Sequence, residues 1–106
     1  MATQYKIYQL KSIAKTDYAF RDWDCAKRVG FSINDYKLVY SGETENENVL
    51  EELWAKFNID HPEDFYGHSL SVSDVVAMSR DDNWRWYYCD DFGWKDVTDM
   101  INVIGG

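Results

Sequence analysis

Across 67–78, GHSLSVSDVVAM, the chain crowds His68, Ser69, Ser71, Ser73 and Asp74 into a short stretch. These are the side chains of nucleophilic hydrolysis: a hydroxyl to attack, an imidazole to take its proton, and a carboxylate to orient the imidazole. Spacing argues against that chemistry. In an extended segment consecutive side chains point to opposite faces, so residues this close do not converge on one reacting atom. A nucleophile elbow, G-x-S-x-G, is also missing, because Gly67-His68-Ser69 runs on into Leu70. A turn that feeds a strand fits better. Ser73 and Asp74 can accept from backbone N–H groups of a turn, and the β-branched Val72, Val75 and Val76 suit the strand that follows. The expectation is a fold-defining turn with no catalytic residue.

Metal chemistry meets similar objections. His61 and His68 flank Glu63, Asp64 and Gly67, but their spacing matches no standard ligand set. The acidic stretches at 81–83 and 89–91 lack the twelve-residue calcium-loop pattern. Cys25 and Cys89 stand far apart, with no C-x-x-C. No metal and no cofactor is expected. A metal-dependent hydrolase built on His61, Asp64, His68 and Asp74 is the one enzymatic alternative.

Binding chemistry is better represented. In NWRWYYCD, Trp84, Trp86 and Tyr88 alternate with Arg85, Tyr87 and Cys89. One face of such a strand is core; the other, if exposed, is a patch for a protein partner. A base-stacking platform is disfavoured by the acidic neighbours. The candidate contact residues are Asp64, Phe65, His68, Trp84, Trp86 and Tyr87.

The elements that must hold these residues read as follows. QYKIYQL, 4–10, is a first strand. Lys11–Phe20 carries no assignable pattern. Asp22 is the N-cap of a short helix through WDCAKRV, whose Trp23, Cys25 and Ala26 share an inner side. Lys27 and Arg28 suit its C-terminal end, and Gly30 its C′ position. YKLVYSG, 36–42, is a second strand. Thr44 and Glu47 have capping-box spacing ahead of a helix over about 45–58, with Val49, Leu50, Leu53, Trp54 and Phe57 as its core stripe. Pro62 and Gly67 punctuate a loop. The last third is a three-stranded antiparallel meander with polar turns at 80–83 and 90–93, and 97–104 either extends its last strand or forms a helical turn. The closing Gly105-Gly106 reads as an incidental tail. The order β-α-β-α-β-β-β defines an α+β domain. Two short helices would cover one face of a mostly antiparallel sheet able to curl toward a barrel.

Composition bounds the rest. A chain of 106 residues is one domain, 1–106, and 45% hydrophobic with 17% aromatic content is enough for a core. The net charge of −8 and the scatter of the 11 basic residues disfavour direct nucleic-acid binding and anionic membranes. No apolar run reaches the roughly 20 residues of a membrane span, and the start lacks a signal-peptide core. A cytoplasmic protein with reduced thiols is expected.

Four phrases together resemble the YodL-like domain of Firmicutes: VYSG at 39–42, LEELWAKFN at 50–58, HPEDFYGHSLSVSDVV at 61–76 and YYCDDFGW at 87–94. The resemblance runs from about Tyr5 to Val97. It implies a small bacterial cytosolic protein, often carried on mobile DNA. It implies no catalytic residues, so its motif positions transfer as markers of fold only. Trp94 after Gly93, and the run of tryptophans, depart from the family's pattern. The functional expectation is a non-enzymatic protein-interaction module, an accessory or host-modulating factor of a mobile element. The alternative is an acidic mimic of DNA that inhibits a DNA-binding enzyme.

Overall fold

Val75, Val76 and Ala77 show no polar alternation, and all three are 0% exposed. A strand covered on both faces requires such a run. The computed structural model, which describes residues 2–59, 70–80 and 83–105, places it in the middle of a five-stranded sheet. The strands are β1 (Thr3–Leu10), β2 (Tyr36–Thr44), β3 (Val75–Arg80), β4 (Asn83–Cys89) and β5 (Trp94–Asp96). They lie in the order β2-β1-β3-β4-β5, and every pairing is antiparallel. The expected α+β class and the closing meander are both present. The sheet does not curl into a barrel: β2 and β5 remain separate edges. β5 is only three residues long, and the chain enters a helix at Thr98, so among the described residues no strand reaches round to β2.

The helices are α1 (Trp23–Val29), α2 (Val49–Ile59) and α3 (Thr98–Gly105). The third settles the two readings of 97–104 in favour of helix, and it carries Gly105 of the expected tail. Asp96 ends β5 by accepting from Thr98 N at 2.9 Å, an Asx-type bond that turns the chain out of the sheet.

Helices occupy both faces of the sheet, not one. Adjacent strand residues point to opposite faces. Ile7 and Val76 join Val49, Leu53 and Phe57 of α2 in one buried cluster. Their neighbours Tyr8 and Val75 join Trp23 and Ala26 of α1 and Ile101 of α3 in the other. The division explains the unalternating β3 run. A bulge adds to it: Ile7 pairs with Tyr40 but Tyr8 with Leu38, so Val39 is an extra residue that bends β2.

The local signals for α1 hold. Asp22 Oδ1 accepts from Cys25 N at 2.9 Å, and Gly30, at φ +107°, donates its N–H to Ala26 O. The capping box expected for α2 does not form as such. Thr44 belongs to β2, and its hydroxyl accepts from Asn46 N, while Asn46 Oδ1 accepts from Asn48 N at 2.8 Å. Two local polar turns thus consume the residues between strand and helix, and α2 starts at Val49. Within it Val49, Leu53 and Phe57 are buried, but Trp54 is 42% exposed and stands outside the core stripe. The unassigned stretch after β1 is a series of turns held by Tyr18, whose hydroxyl donates to Asp35 Oδ2 at 2.9 Å.

Candidate functional site: the serine–aspartate turn and the aromatic corner

Ser73 and Asp74 are spent on the fold, and Ser71 joins them through its backbone while its buried Oγ meets no partner among the described residues. Asp74 is 1% exposed, and its Oδ2 accepts from Ser71 N at 2.9 Å and from Gln9 Nε2 at 3.1 Å. Asp74 N donates to Ser71 O, which closes the turn on itself. Ser73 takes φ +84°, in the left-handed region, and its Oγ accepts from Phe20 N, itself at φ +60°. Tyr36 Oη donates to Ser73 O at 2.6 Å. Ser73 N and Cys89 N exchange bonds with Cys89 O and Asp74 O, which extends the β3–β4 ladder past its last strand pair. Two donors hold the buried Asp74 carboxylate in the turn, and Ser73, 1% exposed, offers no attacking hydroxyl. The turn welds β1, β2, β4 and the Phe20 loop together.

His61, Asp64, Phe65 and His68, with the loop around Pro62 and Gly67, lie outside the described residues, as do Asp81 and Asp82. Among the described residues no group of three His, Cys, Asp or Glu side chains could hold a metal.

The three aromatic contact candidates on β4 do not form one surface. Trp86 packs on Tyr8 with ring centroids 5.1 Å apart, at the margin of the α1/α3 cluster, and its backbone N–H donates to Thr98 Oγ1. Trp84 sits under Lys6, whose Nζ is 4.8 Å from the ring centroid. Tyr87 faces the opposite way, level with Val76 and Asp96. Beside it Arg85 pairs with Asp96. Burial alone would raise the Asp96 carboxyl, but hydrogen bonds from Thr98 and the Arg85 charge outweigh it and hold that group below the ordinary carboxylate range. Strand alternation therefore splits Tyr87 from Trp84 and Trp86.

The most exposed large apolar side chain among the described residues, Phe92, lies one turn further on. The β4–β5 hairpin closes through Asp90 N donating to Gly93 O at 2.9 Å, with Gly93 at φ +85°. Its third residue, Phe92, is 92% exposed. Trp94, opposite Cys89 in the ladder, meets Trp54 of α2 edge to face, with centroids 6.5 Å apart and an interplanar angle of 86°. Trp54, Trp94, Gly93, Asp90, Asp91 and Cys89 line a depression of about 200 Å³ there. Burial first, and then the nearby Asp74 and Asp90 charges, push the Cys89 thiol up to about 12, so it stays protonated and inert. Asp90 Oδ1 accepts from Trp23 N at 3.0 Å and from Asp91 N, so it helps cap α1. The Asp91 carboxyl is raised by desolvation and then by its contact with Asp90. Trp54 and Trp94 were legible in the sequence as aromatics, but the helical stripe assigned Trp54 to the core. Phe92 carried the one available signal, an aromatic at the tip of a D-D-F-G turn.

The fold and this site define a small α+β domain with an aromatic, acidic end and with Ser73 and Asp74 committed to the turn. No helix among the described residues is long and apolar enough to cross a membrane. The family model described as YodL-like domain matches residues 4–100, and the chain belongs to that family. No curated protein and no solved structure matches the chain.

Proposed function

We propose that this chain is a non-enzymatic protein-interaction module that engages its partner through the β4–β5 turn, as an accessory or host-modulating factor of a bacterial mobile element. The observation that carries the interaction reading is Phe92. A phenylalanine left 92% exposed at a hairpin tip forgoes roughly 1.5–3 kcal/mol of burial free energy, which a partner's surface can recover. Trp54 and Trp94 extend the same apolar end, and aromatic anchors dominate binding energy where they enter a partner's pocket. The mobile-element part rests on the family resemblance. Of the contact set read from the sequence, Trp84 stands under Lys6 at the opposite end of β4 from this turn, and Trp86 serves mainly as packing.

The test is affinity capture from bacterial lysate at low and high salt, with wild-type chain and Phe92→Ala side by side. A protein retained by the wild type and lost with F92A supports the reading. Identical retention by both removes it. A DNA-binding enzyme that is held at low salt, released steeply with rising salt and indifferent to F92A would replace it with the DNA-mimic alternative.

A further inference from the structure

We propose that the depression between α2 and the β4–β5 turn is a pocket for an arginine side chain of a basic partner segment, with the Trp54 and Trp94 indoles as its walls and Asp90 and Asp91 as its anionic rim. This rests on the interaction reading above and gives it a chemical class of partner.

Geometry sets the first constraint. Two indoles 86° apart make a corner, so a planar cation can lie flat on one ring while its edge meets the other. The ring faces are electronegative and attract cations, and a guanidinium also stacks on them. The second constraint is charge. Trp54, Cys89, Asp90, Asp91, Gly93 and Trp94 include two carboxylates and no basic residue. Among the described residues the cations placed over rings are Lys6 on Trp84 and Lys56 on Phe57. The Trp84 indole thus already has its cation, supplied by the chain, whereas the Trp54–Trp94 corner does not. Asp91 meets the crowding of Asp90 and Asp22, and a bound cation would relieve that repulsion. Size is the third constraint. At about 200 Å³ the depression is smaller than the roughly 300–1,000 Å³ typical of small-molecule sites, and it suits one side-chain head. Arginine is favoured over lysine because its fork can reach a carboxylate while its plane stays on an indole. Phe92, just outside the pocket, would then contact the apolar part of the same segment.

The experiment is a titration of the ¹⁵N-labelled full chain with the blocked peptide Gly-Gly-Arg-Gly-Gly and, separately, with its citrulline counterpart, which keeps the shape and removes the charge. The readout is the set of indole N–H signals from the five tryptophans. The proposal expects saturable shifts of the Trp54 and Trp94 signals with the arginine peptide and none with citrulline. Asp91→Asn and Trp54→Ala, both at exposed positions, should each weaken binding at least about 5-fold, the equivalent of about 1 kcal/mol. Equal response to citrulline, no movement of these two signals, or shifts confined to Trp84 would overturn the pocket. The capture comparison keeps the two ideas separable. If the peptide titration fails while F92A still loses its partner, the pocket falls and the interaction module stands. If the titration succeeds and F92A changes nothing, the pocket stands and Phe92 is not the anchor.

Discussion

Replacing Asp74 by alanine should be among the most damaging single changes in this chain. The side chain is 1% exposed and lies 65 residues in sequence from Gln9, whose amide donates to it. Truncation strands two donors, Gln9 Nε2 and Ser71 N. A hydrogen bond to a charged acceptor contributes about 1.5–3 kcal/mol, so the two together set a loss of roughly 3–6 kcal/mol. Domains of this kind are stable by only about 5–15 kcal/mol, so D74A should fold marginally or with a much-reduced midpoint. Asp74→Asn keeps an oxygen that both donors can reach and should lose less than half as much. Urea denaturation followed by tryptophan fluorescence reads the effect. With a slope of about 1–3 kcal/mol/M, even the lower bound moves the D74A midpoint by about 1 M or more at unchanged slope. A double-mutant cycle with Gln9→Ala isolates the long-range bond, with an expected coupling of about 0.5–3 kcal/mol. A D74A midpoint within about 0.3 M of wild type, or additive Gln9 and Asp74 effects, would show that the turn is not held by the Asp74 carboxylate.

Three further outcomes follow from the same structure. Gly42→Ala places a Cβ 2.8 Å from Tyr5 Oη, against a ring only 2% exposed; the overpacking should cost about 1–3 kcal/mol and lower the melting temperature by at least about 4 °C, measured by circular dichroism. Cys25 is half-buried while Cys89 is 2% exposed with its thiol pushed up to about 12, so mass spectrometry after brief alkylation at pH 8 should find one label on native chain and two in denaturant. Asp96 is held below its ordinary carboxylate range, so its contribution to stability is present above the unfolded value of about 4 and is lost as pH falls through the folded value. Asp96→Asn should therefore flatten the acid limb of stability against pH and lower neutral-pH stability by the same amount, a small one because the Arg85 pairing is solvent-exposed; an unchanged acid limb would contradict the assignment.

Local interactions were the legible part of the fold. The Asp22 cap and the Gly30 stop of α1 involve atoms within a few residues of each other, and they stand as the residue types predict. The failures share a physical cause in competition between neighbouring elements. Thr44 has the spacing of a helix cap, yet β2 pairs as far as Thr44, opposite Thr3, and the residues before the helix are taken up by one turn closed by the Thr44 hydroxyl and one closed by the Asn46 amide. Trp54 fits a helical stripe, yet the sheet beneath α2 is covered by Val49, Leu53 and Phe57, and the indole is left at the rim.

The sequence by itself determined α1, α2, the antiparallel meander and the reading of Ser71–Asp74 as a turn, because periodicity, caps and turn chemistry act over a few residues, and it left 97–104 open between strand and helix. It also carried the family membership. Only the tertiary structure decided which strand is covered on both faces, that α2 lies opposite α1 and α3, and that Gln9 meets Asp74. The same holds for the aromatic end of the sheet, where Phe92 and Trp54 are exposed beside a half-buried Trp94, in place of a stripe along β4. Alternation along a strand assigns residues to two faces but leaves open what covers each face, and that depends on helices contributed from distant parts of the chain.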